Sequence, residues 1–278
     1  MNEIMKRFML NDKVCIITGG AGLMGDSHAK AILSAGGVAC LIDINGKKLM
    51  AEKVRLQEAF GNPRVEIFEA DITQKDEIEQ VSSDLIKKYG HIDVLINNAA
   101  NNPKVEGHVS NMRPIGFEDF SLTIWEEDIA VGLTGALICT QVFGGQMAKQ
   151  GFGVILNISS DLGIIAPDQR IYEKKGLSPD RQIKKPVTYS VIKHGLIGLT
   201  KYTATYWGGE GVRCNSLCPA GIENGQDDEF IIKLTNLVPM GRMATKEEYQ
   251  NTVIYMVSDA SKYMTGATVI VDGGRTCW

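Results

Sequence analysis

Apolar residues along this chain fall into short continuous blocks, separated by longer stretches with helical spacing. Val14-Cys15-Ile16-Ile17 is such a block, the mark of a strand covered on both faces. Further blocks predict strands over 38–42, 64–68, 94–96, 153–158, 211–217 and 267–271. Amphipathic spacing predicts helices over 26–35, 46–60 and 74–89, then a long one over 121–149. Another opens at Pro186 or Val187 and reaches Tyr206, and short helices precede the last strand. Strand and helix alternating at this rhythm predict an α/β chain, with a doubly wound parallel sheet of about seven strands. No repeat, low-complexity segment or linker interrupts it. The expected organisation is an N-terminal extension over 1–10 and a single domain over 11–278.

Composition adds exclusions. The 278 residues are 44% hydrophobic and 22% charged, with a net charge of −4 and a pI near 5.7. That balance argues against nucleic acid or an anionic membrane as partner. No apolar run is expected to reach the length of a membrane span, and the first ten residues are too short in apolar content for a signal peptide. A cytoplasmic protein is the expectation. Six scattered cysteines include Cys214 and Cys218, with no second pair or His cluster to complete a metal site. All six are expected to be reduced, and no metal is expected.

The first strand ends in Thr18-Gly19-Gly20-Ala21-Gly22-Leu23-Met24-Gly25. Gly20, Gly22 and Gly25 fit G-x-G-x-x-G in a strand–turn–helix setting. Such glycines allow a tight turn and a close approach of pyrophosphate to the backbone, and the helix N-terminus offers N–H groups to phosphate. Asp43 ends the second strand, 18 residues beyond Gly25. A carboxylate there accepts hydrogen bonds from ribose hydroxyls and repels a 2′-phosphate, which favours NAD over NADP.

Tyr189 and Lys193 stand four apart on a predicted helix and so share a face. A free phenol ionises near pH ~10, and a fixed positive charge beside it favours the phenolate. That pairing suits moving a proton on or off an alcohol oxygen. By itself it equally fits a solvated helix face.

Taken together, the glycine turn, Asp71, Asn97-Asn98-Ala99-Ala100, Ser159-Ser160, Tyr189-x-x-x-Lys193, Pro219-Ala220-Gly221-Ile222 and Val271-Asp272-Gly273-Gly274 resemble the short-chain dehydrogenase/reductase family. The resemblance runs from about Asn11 to the end. It implies a Rossmann-like fold and hydride transfer between a nicotinamide and an alcohol or carbonyl carbon. Tyr189 would be the general acid/base, Lys193 would lower its pKa and hold the nicotinamide ribose, and Ser160 would bond the substrate oxygen. The resemblance places the cofactor against Gly19, Gly20, Gly22, Leu23, Met24, Gly25, Asp43 and Ile44. It adds Asp71 and Ile72 at the adenine, Asn98, Ala99 and Ala100 beside the ribose, and Pro219, Gly221 and Ile222 at the nicotinamide. It also implies a homo-oligomer, tetramer or dimer, through the helices containing Trp125 and Tyr189.

Three departures bear on this reading. Leu23 stands where compact family members usually have glycine, which resembles the extended subgroup. Gly132 stands where the family usually has a catalytic Asn. From Ser160 to Tyr189 is 29 residues, more than twice the usual gap. The intervening 161–188 carries six basic residues against four acidic, among them Arg170, Lys184 and Lys185. A second long loop, 101–120, contains His108 and Arg113. Both leave the carboxyl ends of strands, where ligands bind in such sheets. An anionic small molecule, such as a phosphorylated or nucleotide-linked sugar, is one expectation for the basic loop. A solvated loop or subunit contact is the other. Gly22-Leu23-Met24-Gly25 and Val131-Gly132-Leu133-Thr134-Gly135 also resemble oxidoreductases of bacterial flagellin glycosylation, in legionaminic-type sugar pathways. Two alternatives stay open: a catalytically weak NAD-binding scaffold or sensor, and a sugar epimerase or dehydratase that recycles bound NAD.

Overall fold

The computed structural model describes residues 2–61, 64–101 and 116–278. Among them, seven strands form one sheet: β1 (Val14–Thr18), β2 (Val38–Asp43), β3 (Val65–Glu69), β4 (Val94–Asn97), β5 (Gly153–Ile158), β6 (Val212–Pro219) and β7 (Thr268–Val271). All pairings are parallel, in the order β3-β2-β1-β4-β5-β6-β7. The helices that flank them are α1 (Leu23–Ser34), α2 (Gly46–Phe60), α3 (Lys75–Tyr89), α4 (Leu122–Gln150), α5 (Val187–Trp207), α6 (Asp228–Thr235) and α7 (Gln250–Val257).

Every residue of β1 is buried because its two faces feed two cores. Cys15 and Ile17 join Ala29 and Ile32 of α1, Leu49 of α2 and Met256 of α7. Val14 and Ile16 join Ile78 and Leu85 of α3 and Phe143 and Met147 of α4. Helices therefore cover both sides, and the direction of chain crossover reverses between β1 and β4. A crevice opens there, beyond the carboxyl ends of the strands.

Helix α1 begins three residues before the predicted start. Gly22 is its N-cap, and the Asp26 N–H donates to the Gly22 carbonyl at 3.0 Å, so the second half of the glycine motif forms the first helical turn.

Helix α4 corrects one expectation. Its most apolar 18 residues have a mean hydropathy of 1.3, enough by length and composition to cross a membrane. Its Cys139, Phe143 and Met147 are nevertheless fully buried against the sheet, the packing of a core helix. Two π-type turns, Ala130–Thr134 and Thr140–Gly144, interrupt it. Such widened turns recur near functional sites.

The 161–188 segment is ordered as three single turns, Asp161–Gly163, Gln169–Tyr172 and Pro179–Arg181. Its Ile171 and Tyr172 pack with Phe230 and Leu234 of α6 and with Met243. Lys174 pairs with Asp227 at 2.6 Å. The segment and α6 together roof the crevice. His108 and Arg113 lie outside the described residues.

Candidate active site

A cleft of about 610 Å³ runs along the carboxyl ends of the strands, within the size range of small-molecule and cofactor sites. At one end lie Gly19, Gly22, Leu23 and Met24 of the turn, with Asp43 and Asn98-Ala99-Ala100. Gly19 has φ +64°, and a β-carbon on it would stand 2.9 Å from the Cα of Ala99. One on Gly20 would stand 2.6 Å from the Leu41 side chain, and one on Gly25 would run into the Gly19 and Gly20 carbonyls. Gly20 and Gly25 thus keep turn, strand and helix close together, while Gly19 and Gly22 face the cleft. The Gly22 cap has no side chain over the first N–H groups of α1. That leaves a cradle suited to phosphate.

Asp43 accepts from the Ala21 N–H at 3.1 Å and the Asn45 N–H at 3.0 Å, which holds its carboxylate at the cleft. Asn98 donates to the Thr18 carbonyl at 2.9 Å and ties β4 to the glycine turn. Behind it a buried polar chain fixes the strand ends. Asn97 donates to Thr140 at 3.1 Å and to Asn157 at 2.8 Å, and Asn157 donates to Thr200 at 2.8 Å.

At the other end stand Ser160, Tyr189 and Lys193, with Pro219, Gly221 and Ile222 forming the far wall. The Lys193 ammonium donates to the Ile158 carbonyl at 2.8 Å and lies 5.6 Å from the centre of the Tyr189 ring. Burial, and then the charge of Lys185, pull its pKa down to about 8. The Lys185 ammonium sits 4.0 Å above the same ring, a cation–π contact. The Ser160 hydroxyl donates to the Asp161 carboxylate at 2.7 Å and accepts from the Leu162 N–H at 3.2 Å. Burial pushes the Asp161 pKa up, against the Ser160 bond, the Leu162 N–H that its carboxylate also accepts at 2.8 Å, and the charge of Arg275. Ser159 donates to the Lys193 carbonyl at 2.7 Å, which locks the start of the roof segment to α5.

Several expected residues stand apart from the cleft. Ile44 is exposed at the end of β2. Asp71 binds Thr73 through its N–H at 2.9 Å and its hydroxyl at 2.8 Å, a turn opening α3, and Ile72 is buried near Gly135. None of the three lines the cleft, nor do Gly20 and Gly25. Arg170 is 81% exposed and bound to Asp168 at 2.7 Å, and Lys184 is exposed, so neither basic side chain enters it. Of the basic loop residues singled out, Lys185 does. At Gly132 a β-carbon would stand 2.8 Å from two carbons of Ile192, which fills the space a side chain there would need. Sequence reasoning missed Asp161, Tyr172 and Arg275 on the cleft wall. Asp161 was legible as the neighbour of Ser160. Arg275 lies just past a strand's carboxyl end, the region that such sheets reserve for ligands.

A dinucleotide-type cradle leading into a Ser, Tyr and Lys cluster defines the class: a nucleotide-binding oxidoreductase of the doubly wound α/β type. A family model described as short chain dehydrogenase matches residues 13–172, and one described as enoyl-(acyl carrier protein) reductase matches 175–276. The chain belongs to the short-chain dehydrogenase family. It is 28% identical to a D-threitol dehydrogenase of Mycolicibacterium smegmatis, over 97% of this chain and 95% of that one. It is also 28% identical to post-translational flagellin modification protein A of Campylobacter coli, over 96% and 99%. A solved short chain dehydrogenase of Leptospira borgpetersenii with bound NAD+ superposes with a TM-score of 0.78 at 29% identity, covering 96% of this chain and 93% of that one. Relatives named as NAD-dependent and as NADP-dependent both occur, so the kinship carries a nicotinamide cofactor without its kind.

Proposed function

We propose that this chain is an NAD(H)-dependent dehydrogenase or reductase acting on a hydroxyl or carbonyl of a polyol or sugar. The observation that carries the reading is the single continuous cleft, walled by the glycine turn and Asp43 at one end and by Ser160, Tyr189 and Lys193 at the other. The glycine turn fits pyrophosphate, and the Asp43 carboxylate suits ribose hydroxyls and opposes a 2′-phosphate. When bound, the nicotinamide supplies the hydride chemistry. Tyr189 moves the proton on the substrate oxygen, the Lys193 charge favours its phenolate, and Ser160 bonds the same oxygen. Ile158 and Ser159 hold Lys193 in place through its ammonium and its carbonyl.

A role in bacterial surface-glycan synthesis, including flagellin modification, is the finer reading, supported by the Campylobacter coli relative. A homotetramer or dimer in the cytoplasm, using the soluble NAD pool, is its proposed setting.

Tyr189→Phe is expected to lower turnover about 10²–10⁴-fold. NADH affinity, read by nicotinamide fluorescence, is expected to stay within a few-fold. Unchanged turnover of a polyol panel would remove Tyr189 from the chemistry. Asp43→Ala is expected to narrow the preference for NAD over NADP, read as the ratio of the two kcat/KM values. Gly132 keeps a binding-only scaffold as a second reading. Wild-type protein that binds NADH tightly yet turns over no member of the panel would favour it.

A further inference from the structure

Arg275 is a largely buried residue on the cleft wall to which the reaction just described gives no part. It is 8% exposed and lines the cleft together with Ser160, Tyr189 and Lys185. The tail that carries it is rigid. Asp272 accepts from the Gly274 N–H at 2.9 Å and from the Thr276 N–H at 2.7 Å. Gly273 and Gly274 have φ of +64° and +89°, and a β-carbon on Gly274 would stand 2.8 Å from Pro239. Only glycine fits there, so the tail follows one course.

A cation on a cleft wall is stabilised by an anion that pairs and hydrogen-bonds with it. Among the described residues, no hydrogen bond or close ion pair engages the Arg275 guanidinium, whose charge acts on Asp161 and Asp168 from a distance. The carboxylates near it are committed elsewhere. Asp161 receives Ser160 and the Leu162 N–H, Asp168 holds Arg170, and Asp272 caps the tail. Arg275 also borders a recess of about 90 Å³, too small for a sugar-sized ligand. The main cleft is therefore where its donors can meet one. A second cation stands in the same cleft, the Lys185 ammonium 4.0 Å above the Tyr189 ring and 9% exposed as a residue.

We propose that Arg275 and Lys185 form an anion subsite that holds a carboxylate or phosphate on the substrate while Ser160 and Tyr189 engage its reacting oxygen. The proposal rests on the oxidoreductase reading of the cleft. It moves the recognition of charge from the exposed Arg170 and Lys184 to the cleft-lining Lys185 and Arg275. An arginine fork matches either oxyanion in two parallel bonds, and a lysine adds a point charge. Cofactor phosphates belong to the opposite end, at the glycine turn.

The test uses the full-length protein and three probes: a five-carbon alditol, its aldonate and its phosphate monoester, followed by nicotinamide absorbance. The wild type is expected to prefer one of the two anions, which also separates carboxylate from phosphate. Arg275→Gln and Lys185→Gln are each expected to lower kcat/KM for that anion at least tenfold more than for the alditol. Arg275→Lys is expected to lose less than Arg275→Gln. NADH affinity of the Arg275 variants, expected within twofold of wild type, checks folding. Equal losses on alditol and anion, or a wild type indifferent to charge, would overturn the subsite while leaving the oxidoreductase reading intact. If no probe is turned over, calorimetric binding of the aldonate and of the phosphate ester to the NADH complex decides. Binding lost in Arg275→Gln supports the subsite though the proposed chemistry fails, and binding unaffected by it overturns the subsite.

Discussion

Tyr189 has a lysine on either side of it in function: Lys193 held by a backbone carbonyl, and Lys185 over the ring face. Two ammonium groups near one phenol favour the phenolate, yet they also repel each other. Burial first, and then Lys185, bring Lys193 to about 8, with Cys218 opposing weakly. The cation beside Tyr189 therefore loses its proton as pH rises through about 8, and support for the phenolate goes with it. The pH profile of kcat/KM, which reports groups of the free enzyme, is expected to carry a limb near pH 8. Lys185→Gln removes one of the two lowering influences, so that limb is expected to move to higher pH. A limb that stays in place would detach Lys185 from the titration of Lys193.

At the scale of elements, the junction of α4 and α5 is built around Gly132. Gly132 lies in a π-type turn of α4, and Ile192 of α5 packs into the space a side chain would need. Restoring asparagine alone is expected to harm the protein. Gly132→Asn should overpack the junction and cost about 1–3 kcal/mol of stability, read by thermal unfolding. Adding Ile192→Ala makes room and should recover part of that loss. A stable single variant would show that the two helices can part without penalty. Asp128 adds a polar tie at the same junction, accepting from Thr188 at 2.6 Å just before Tyr189. The start of α5, and with it Tyr189, is thus positioned by α4 as well as by the sheet.

For the whole molecule, α4 and α5 each leave large apolar side chains exposed among polar ones. Leu122 is 75% exposed and Tyr202 65%, and Tyr202 stacks on Tyr206 with ring centres 5.8 Å apart. Exposed apolar groups gathered on neighbouring helices mark an association surface. Light scattering is expected to find a dimer or tetramer, and Tyr202→Glu to shift it toward smaller species. A wild-type monomer at micromolar concentration would refute the assembly. The sequence by itself determined the parallel sheet, the glycine turn, Asp43 and the Ser160, Tyr189 and Lys193 cluster. The sheet follows from local periodicity, the glycine turn and Asp43 from a motif and its spacing after two strands, and Tyr189 with Lys193 from an i, i+4 spacing on one helix, while Ser160 comes with the family resemblance. Only the tertiary structure decided which charges face the cleft. Arg170, Lys184 and Lys185 are equal substrate-side candidates in the sequence, but the fold turns the first two to solvent, keeps Lys185 and brings in the distant Arg275. The reason is physical: the direction of a long charged side chain is set by how its loop or tail packs against other elements. A charge count along the chain carries no record of that packing.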